Sequence, residues 1–228
     1  MTPPRHPDEE DGGSAPCLLH QVGPDGVPTD PQQALDVARW RKAERSRLIA
    51  LRSALPAEYR ARQTAAITEK LDEMIAAESG EIVGVYWPIR AEPDLRAWMR
   101  TACSRGLRIA LPVAVELGEP MTFREWRPDS AMTRGLWRIP YPADGGEVSP
   151  GTVLAPLVGF DSAHYRLGYG GGFFDRTLAA MNRVRKPLVI GVGYPDLRIP
   201  TIYPQSQDIP MDWILTGSEA SPRDETQG

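Results

Sequence analysis

Residues 81–113 read EIVGVYWPIRAEPDLRAWMRTACSRGLRIALPV, and this stretch decides the fold. The opening run EIVGVYWP is short, β-branched and aromatic, the composition of a buried strand. From Pro93 the spacing turns helical, with Leu95, Trp98, Met99 and Ala102 on one face and Gly106 as the stop. LRIALPV is then a second strand. Strand, helix and strand in so short a span form a βαβ unit, which predicts a parallel sheet with a right-handed crossover.

Upstream, the pattern predicts a helix from Pro31 to Leu55 with Leu35, Ala38, Leu48, Leu51 and Leu55 inward. A second helix follows Pro56, carries Ile67, Leu71 and Met74 or Ile75 on one face, and ends near Gly80. Downstream, PMTFREW reads as a strand and GLWRIPYPADGGEVSPG as mostly loop. TVLAPLVGFD is a strongly apolar strand, FFDRTLAAMNRV a helix, KPLVIGVGYP a strand and MDWILTG a short final strand. This order predicts one α/β domain over residues 32–218, a three-layer αβα arrangement with a mostly parallel central sheet. Residues 1–31 are crowded with Pro, Gly and Asp and predict a flexible tail, with CLLHQV as a candidate docking patch. Residues 219–228 predict a flexible C-terminal tail.

The chain has 228 residues, 41% of them hydrophobic, enough for one sizeable core. Thirty acidic against 26 basic residues give a net charge of −4, which argues against coating nucleic acid. Cys17 and Cys103 stand alone and far apart, so neither a disulfide framework nor a thiolate metal site is expected. No apolar run reaches a membrane span and the N-terminus lacks a secretory pattern, which predicts a cytoplasmic protein without membrane contact. The sequence leaves oligomeric state open, a monomer being favoured.

Between the apolar strand and the helix after it lies RLGYGGGFFDR, residues 166–176. Four glycines fall in five positions, at a predicted strand end just before a predicted helix. A P-loop is excluded because Phe173 and Phe174 stand where its Lys-Ser/Thr pair would be, and a dinucleotide fingerprint is excluded by Phe173. The shared physics remains: bare backbone lets amides crowd round an anion, and the helix N-terminus adds a favourable dipole. Arg166 supplies formal charge, and Asp175 is a candidate Mg²⁺ ligand opposite the phosphates. On the first helix, Arg41, Arg45 and Arg52 fall within about 40° of one another, a stripe that suits either a solvated face or an anion site. His164 reads as a solvated loop histidine.

The longer stretch FDSAHYRLGYGGGFFDR resembles the signature of the 5-formyltetrahydrofolate cyclo-ligase family, with the resemblance running over roughly residues 39–217. It implies an ATP- and Mg²⁺-dependent enzyme acting on a reduced folate. Its basic motif falls on Arg45 and on Arg41, or alternatively Lys42, as nucleotide-phosphate contacts. The loop Gly168, Tyr169, Gly170, Gly171 and Gly172 joins them, together with Arg166. The resemblance implies Trp87, Glu92, Met121 and Phe123 on the folate side. It implies Asp175 and Asp208 as the metal pair, with Asp212 the alternative to Asp208. The catalytic load then rests on Arg166 and Asp175.

The reaction implied is phosphorylation of the formyl oxygen, attack of N10 on the activated carbon, and loss of phosphate to give 5,10-methenyltetrahydrofolate. Glu44, Tyr141 and Tyr165 depart from the family pattern. They leave two other readings open: a paralogue with the same Mg-ATP site and another substrate, and a non-enzymatic nucleotide- or folate-binding module.

Overall fold

The structure, a computed structural model, describes residues 31–75, 80–217 and 219–223. The predicted N-terminal tail lies outside these residues apart from Pro31, which begins helix α1 (Pro31–Ala54). Helix α2 (Ala57–Met74) follows at once, the break falling at Pro56, whose ring removes an N–H and disfavours helix in the residue before it. Strand β1 (Ile82–Gly84), helix α3 (Arg96–Ser104) and strand β2 (Arg108–Val113) form the predicted βαβ unit, β1 and β2 pairing parallel with Ile82 opposite Arg108. Strand β3 (Thr122–Trp126) turns back antiparallel on β2.

The segment expected to be mostly loop, residues 135–151, carries two short strands, and a third lies just before it. β4 (Met132–Arg134) and β5 (Pro140–Pro142) form a hairpin around a 3-10 turn at Leu136–Arg138, and β6 (Glu147–Val148) pairs with β3. The apolar strand is β7 (Thr152–Pro156), parallel to β1. A small hairpin, β8 (Gly159–Phe160) and β9 (Arg166–Leu167), intervenes before helix α4 (Phe173–Asn182). The chain then adds β10 (Leu188–Gly193) and β11 (Trp213–Thr216), both parallel, and β12 (Glu219–Pro222), antiparallel to β11. Residues 219–222 thus correct the expected flexible C-terminal tail. Their strand depends on a turn at Gly217, whose φ of +55° suits glycine, and not on any β pattern of their own.

The main sheet runs β12-β11-β10-β7-β1-β2-β3-β6. Side-chain alternation sends successive residues into two separate cores. Ile109, Leu111, Leu154, Ile190 and Leu215 pack with Ile67 and Leu71 of α2 and with Trp98 and Met99 of α3. Ala110, Val153, Ala155, Val189 and Ile214 pack on the other face with Leu48 of α1 and Leu178 of α4. Both faces are therefore covered, as a parallel sheet requires, giving the three predicted layers. Among the described residues, no helix is long and apolar enough to cross a membrane.

Helix α1 departs from its predicted inward face. Leu35 is 54% exposed and Ala38 is exposed, whereas Val37, Leu48 and Arg52 are buried. The reason is that α1 turns arginines, not only leucines, towards the protein, which blurs the apolar periodicity that sequence reading relies on.

The order of strands also fixes where a ligand can sit. From β1 the chain moves to β2 on one side, whereas β7 leads to β10 on the other. The sheet therefore has a topological switch point between β1 and β7, and the crevice beyond their C-terminal ends is the expected binding place.

Candidate active site

A cleft of about 1130 Å³ opens at that switch point, reached by Trp87 beyond β1, Ala114 beyond β2 and Pro156 at the end of β7. One end is built by the glycine loop between β9 and α4. Gly170 (φ +94°) and Gly172 (φ +64°, at the start of α4) occupy the left-handed region, where a side chain strains the backbone. The first intrahelical bond of α4 runs from the Arg176 N–H to the Gly172 carbonyl at 3.0 Å, so earlier amides of this end have no partner within the helix.

Four arginines converge here. Arg45 Nε donates to the Gly168 carbonyl at 2.6 Å, and a Cβ on Gly170 would lie 3.1 Å from its guanidinium carbon. Burial, then the neighbouring charge of Arg41, hold Arg45 below the usual arginine range, although arginine stays protonated in water-facing sites. Arg41 donates to the carbonyls of Ile202 at 2.9 Å and Tyr203 at 3.1 Å, and pairs with Asp208. Arg166 is buried, reaches Asp175 at 2.9 Å and lies 4.9 Å over the Phe174 ring. Arg176, whose side chain was given no role from sequence, donates to the Gly171 carbonyl at 2.5 Å. Lys42 also lines the cleft.

Asp175 and Asp208 both line this end of the cleft. The Ile209 N–H donates to Asp175 Oδ1 at 3.4 Å, and Asp208 also accepts the Gln205 N–H at 2.7 Å. Asp212, the alternative, is engaged elsewhere by Lys186 and the Val189 N–H. Among the described residues, no group of three or more His, Cys, Asp and Glu side chains forms a closed metal site. Two carboxylates fit Mg²⁺, which keeps water and takes phosphate oxygens for its remaining positions.

The opposite end is built on the turn Ile89–Glu92. Arg90 (φ +46°) and Ala91 (φ +61°) are consecutive non-glycine residues in the left-handed region, each costing roughly 1–3 kcal/mol. The turn is held by Glu92, whose N–H donates to the Ile89 carbonyl at 3.0 Å and whose Oε2 accepts the Ile89 N–H at 2.9 Å. Burial raises the Glu92 carboxyl above the usual range; Arg52, Tyr169, the Ile89 amide and Arg90 act the other way. Trp87 lines the cleft with the Arg96 guanidinium 5.5 Å from its ring. Met121 lines it too, its N–H tied to Thr177 Oγ1 of α4 at 2.8 Å.

Three sequence expectations need correction. Phe123 is not in the cleft: it is 4% exposed within the α1/α4 core, its ring pressed where a Cβ on Gly84 would lie. The alternation of β3 turns it inward to that core, which the motif alone could not reveal. His164 is buried, not solvated, with its Nε2 3.3 Å from Ser221 Oγ. Arg52 does not share the half-buried, cleft-lining stripe of Arg41 and Arg45. It is 1% exposed, bonded to the carbonyls of Arg90 and Leu157 and to the Tyr169 hydroxyl.

Trp137 was missed. It stands 61% exposed at the mouth of the cleft, with φ +53°, edge-on to Phe173 at 5.1 Å. Its only sequence signal was a tryptophan in a segment otherwise read as loop. Of the three departures from the family pattern, Tyr141 lines the cleft, Glu44 pairs with Arg47 on the outer face, and Tyr165 packs against the core.

The model of the 5-formyltetrahydrofolate cyclo-ligase family matches residues 37–217. A protein named 5-formyltetrahydrofolate cyclo-ligase from Mycolicibacterium smegmatis is 31% identical over 60% of this chain and 74% of its own length. The protein of that name from Haemophilus influenzae is 25% identical over 78% of this chain and 97% of its own. The NMR structure of Aquifex aeolicus 5,10-methenyltetrahydrofolate synthetase superposes with a TM-score of 0.69 at 26% identity, over 82% of this chain and 95% of that one. With matched residues spanning every element that builds the cleft, from α1 to β11, this chain belongs to the 5-formyltetrahydrofolate cyclo-ligase family.

Proposed function

We propose that this chain converts 5-formyltetrahydrofolate to 5,10-methenyltetrahydrofolate at the expense of ATP, with ADP and phosphate as products. The observation that carries the reading is the joining of two unlike ends in one cleft. An arginine-rich glycine loop faces the same space as a buried carboxylate and a tryptophan.

At the phosphate end, Arg41, Arg45 and Arg166 offer guanidinium groups to the nucleotide phosphates, and the start of α4 offers amides and dipole. Lys42 and Gly168–Gly172 complete this wall. At the folate end, the Glu92 carboxylate accepts two N–H bonds from the amino-pyrimidinone edge of the pterin, and Trp87 presents a flat face to its ring. Met121 fills the space between.

The formyl oxygen, held against the terminal phosphate, attacks phosphorus and ADP departs. N10 then adds to the activated formyl carbon and releases its proton to solvent, and the phosphate leaves with the former formyl oxygen. An amide-like oxygen is a poor leaving group, and its conversion to a phosphate is what the nucleotide provides. The chain's own contribution is positioning and charge stabilisation, which suits a site where, among the described residues, no nucleophile–base pair lines the cleft. Asp175 and Asp208 are the residues that hold Mg²⁺, which supplies charge neutralisation at the phosphates when bound.

A second reading, in which the same phosphate end serves another formylated substrate, draws on Tyr141 in the cleft wall beneath Arg124. The test of both is absorbance of the methenyl product from 5-formyltetrahydrofolate, with and without Mg-ATP. Product that appears only with Mg-ATP supports the first reading. A folded protein that binds Mg-ATP and gives no product overturns it in favour of the second.

A further inference from the structure

We propose that Tyr169 is a positioning residue for the folate end, its hydroxyl holding the Glu92 carboxylate in place from across the glycine loop. Sequence reasoning grouped Tyr169 with the nucleotide because its neighbours are the loop glycines. The side chain instead leaves the phosphate end. Its hydroxyl donates to Glu92 Oε1 at 2.6 Å and accepts from Arg52 Nη2. Its ring lies 5.4 Å from the Arg90 guanidinium carbon and 5.8 Å from that of Arg52.

This contact does more than fill space. Arg52 and Glu92 approach only to 3.8 Å, too far for a hydrogen bond, and both side chains are 1% exposed. Tyr169 bridges that gap, so two buried charges, each with further partners, are linked through one hydroxyl. Glu92 spends Oε2 on the Ile89 amide, and Oε1 is oriented by Tyr169. Burial and the Glu92 charge push the Tyr169 phenol well above its ordinary value, so it remains a donor through the neutral range.

The charged and titratable groups around Glu92 are Arg52 from α1, Arg90 from its own turn, Tyr169 from the glycine loop, Tyr86 beyond β1 and Tyr194 beyond β10. Of these, Arg52, Tyr169 and Arg90 favour the ionised carboxylate against its burial. Loss of the hydroxyl therefore raises the pH at which Glu92 takes up a proton. Because folate binding needs the carboxylate as acceptor, binding then fails at higher pH.

The inference rests on Glu92 as the folate acceptor, and the experiment separates the two ideas. Calorimetric titration of 5-formyltetrahydrofolate is run from about pH 5 to pH 8 on wild type, Glu92→Gln and Tyr169→Phe. A fourth protein carries 3-fluorotyrosine at position 169, an almost isosteric and stronger donor. The ligand's own titration is common to all four and cancels in the ratios. Glu92→Gln weakens binding at neutral pH and flattens the acid limb. Tyr169→Phe moves that limb up by about one pH unit, the equivalent of one hydrogen bond to a charged group. Fluorotyrosine moves it down.

Unfolding midpoints and Mg-ATP affinity report whether each protein is folded. If Tyr169→Phe unfolds, the fluorotyrosine protein decides alone. A weakened Glu92→Gln together with an unmoved limb in the Tyr169 proteins overturns the positioning role and leaves Glu92 as acceptor. Unchanged binding in Glu92→Gln removes the acceptor reading and the Tyr169 role with it.

Discussion

At the phosphate end of the cleft Arg41 pairs with Asp208 and Arg166 with Asp175, while at the folate end Arg52 faces Glu92 at 3.8 Å. The first two pairs retain some access to solvent, with side chains 4–15% exposed; the third is 1% exposed on both sides. The difference separates charges that can exchange partners from charges that cannot. Under the proposed function, phosphate oxygens entering the cleft would compete for Arg41 and Arg166 and free the two carboxylates. Arg52 is instead fixed by two carbonyls and a phenol, and any exchange strands a charge in the interior. The phosphate end is built to change its pairing on binding, and the folate end is built to keep it.

Breaking the exchangeable pairs should cost activity more than stability. Asp175→Asn is expected to lower turnover by roughly 10³-fold, the scale of several kcal/mol of charge stabilisation at phosphate, while circular dichroism stays native. Near-native turnover would remove Asp175 from the metal pair. Breaking the fixed pair should do the reverse. Arg52→Leu leaves Glu92 buried without its cation and is expected to lose about 3–5 kcal/mol in urea unfolding, against roughly 1–2 kcal/mol for Arg41→Leu. Equal losses would erase the distinction between the two ends.

Smaller effects sharpen it. Arg45→Ala should raise the KM for ATP roughly 10-fold and leave that for folate within about twofold, as one charged contact to phosphate is lost. An ATP dependence equal to wild type would return Arg45 to a structural role at the Gly168 carbonyl. Gly170→Ala should raise the KM for ATP only severalfold, since a side chain in the left-handed region costs roughly 1–2 kcal/mol and the added Cβ presses on Arg45. A thermal midpoint that falls with no change in ATP dependence would place the glycine's value in folding alone.

The same contrast explains what the sequence could show. The βαβ unit at residues 81–113 and the apolar strand 152–156 were legible because parallel strands buried on both faces need unbroken apolar runs. The glycine loop and the helix start that carries Asp175 were legible because their requirements are local: left-handed backbone before a helical first turn. Arg52 was not separable from Arg41 and Arg45, since helical spacing places all three on one side and only the packing of α1 decides which is sealed. Tyr169 was assigned by its place in the loop and Phe123 by the family resemblance, yet where each ring lies depends on which side of a loop or strand it leaves. The edge strand β12 carries no pattern of its own and exists because β11 offers it a partner.

In the proposed reaction, transfer of the formyl oxygen to phosphorus is the reason one cleft needs both ends, and an isotope tests it most directly. 5-Formyltetrahydrofolate labelled with ¹⁸O in the formyl group is turned over with unlabelled ATP, and the released phosphate is analysed by mass. One ¹⁸O in each phosphate is the expected result. Unlabelled phosphate, formed with normal yields of the methenyl product, would contradict the account.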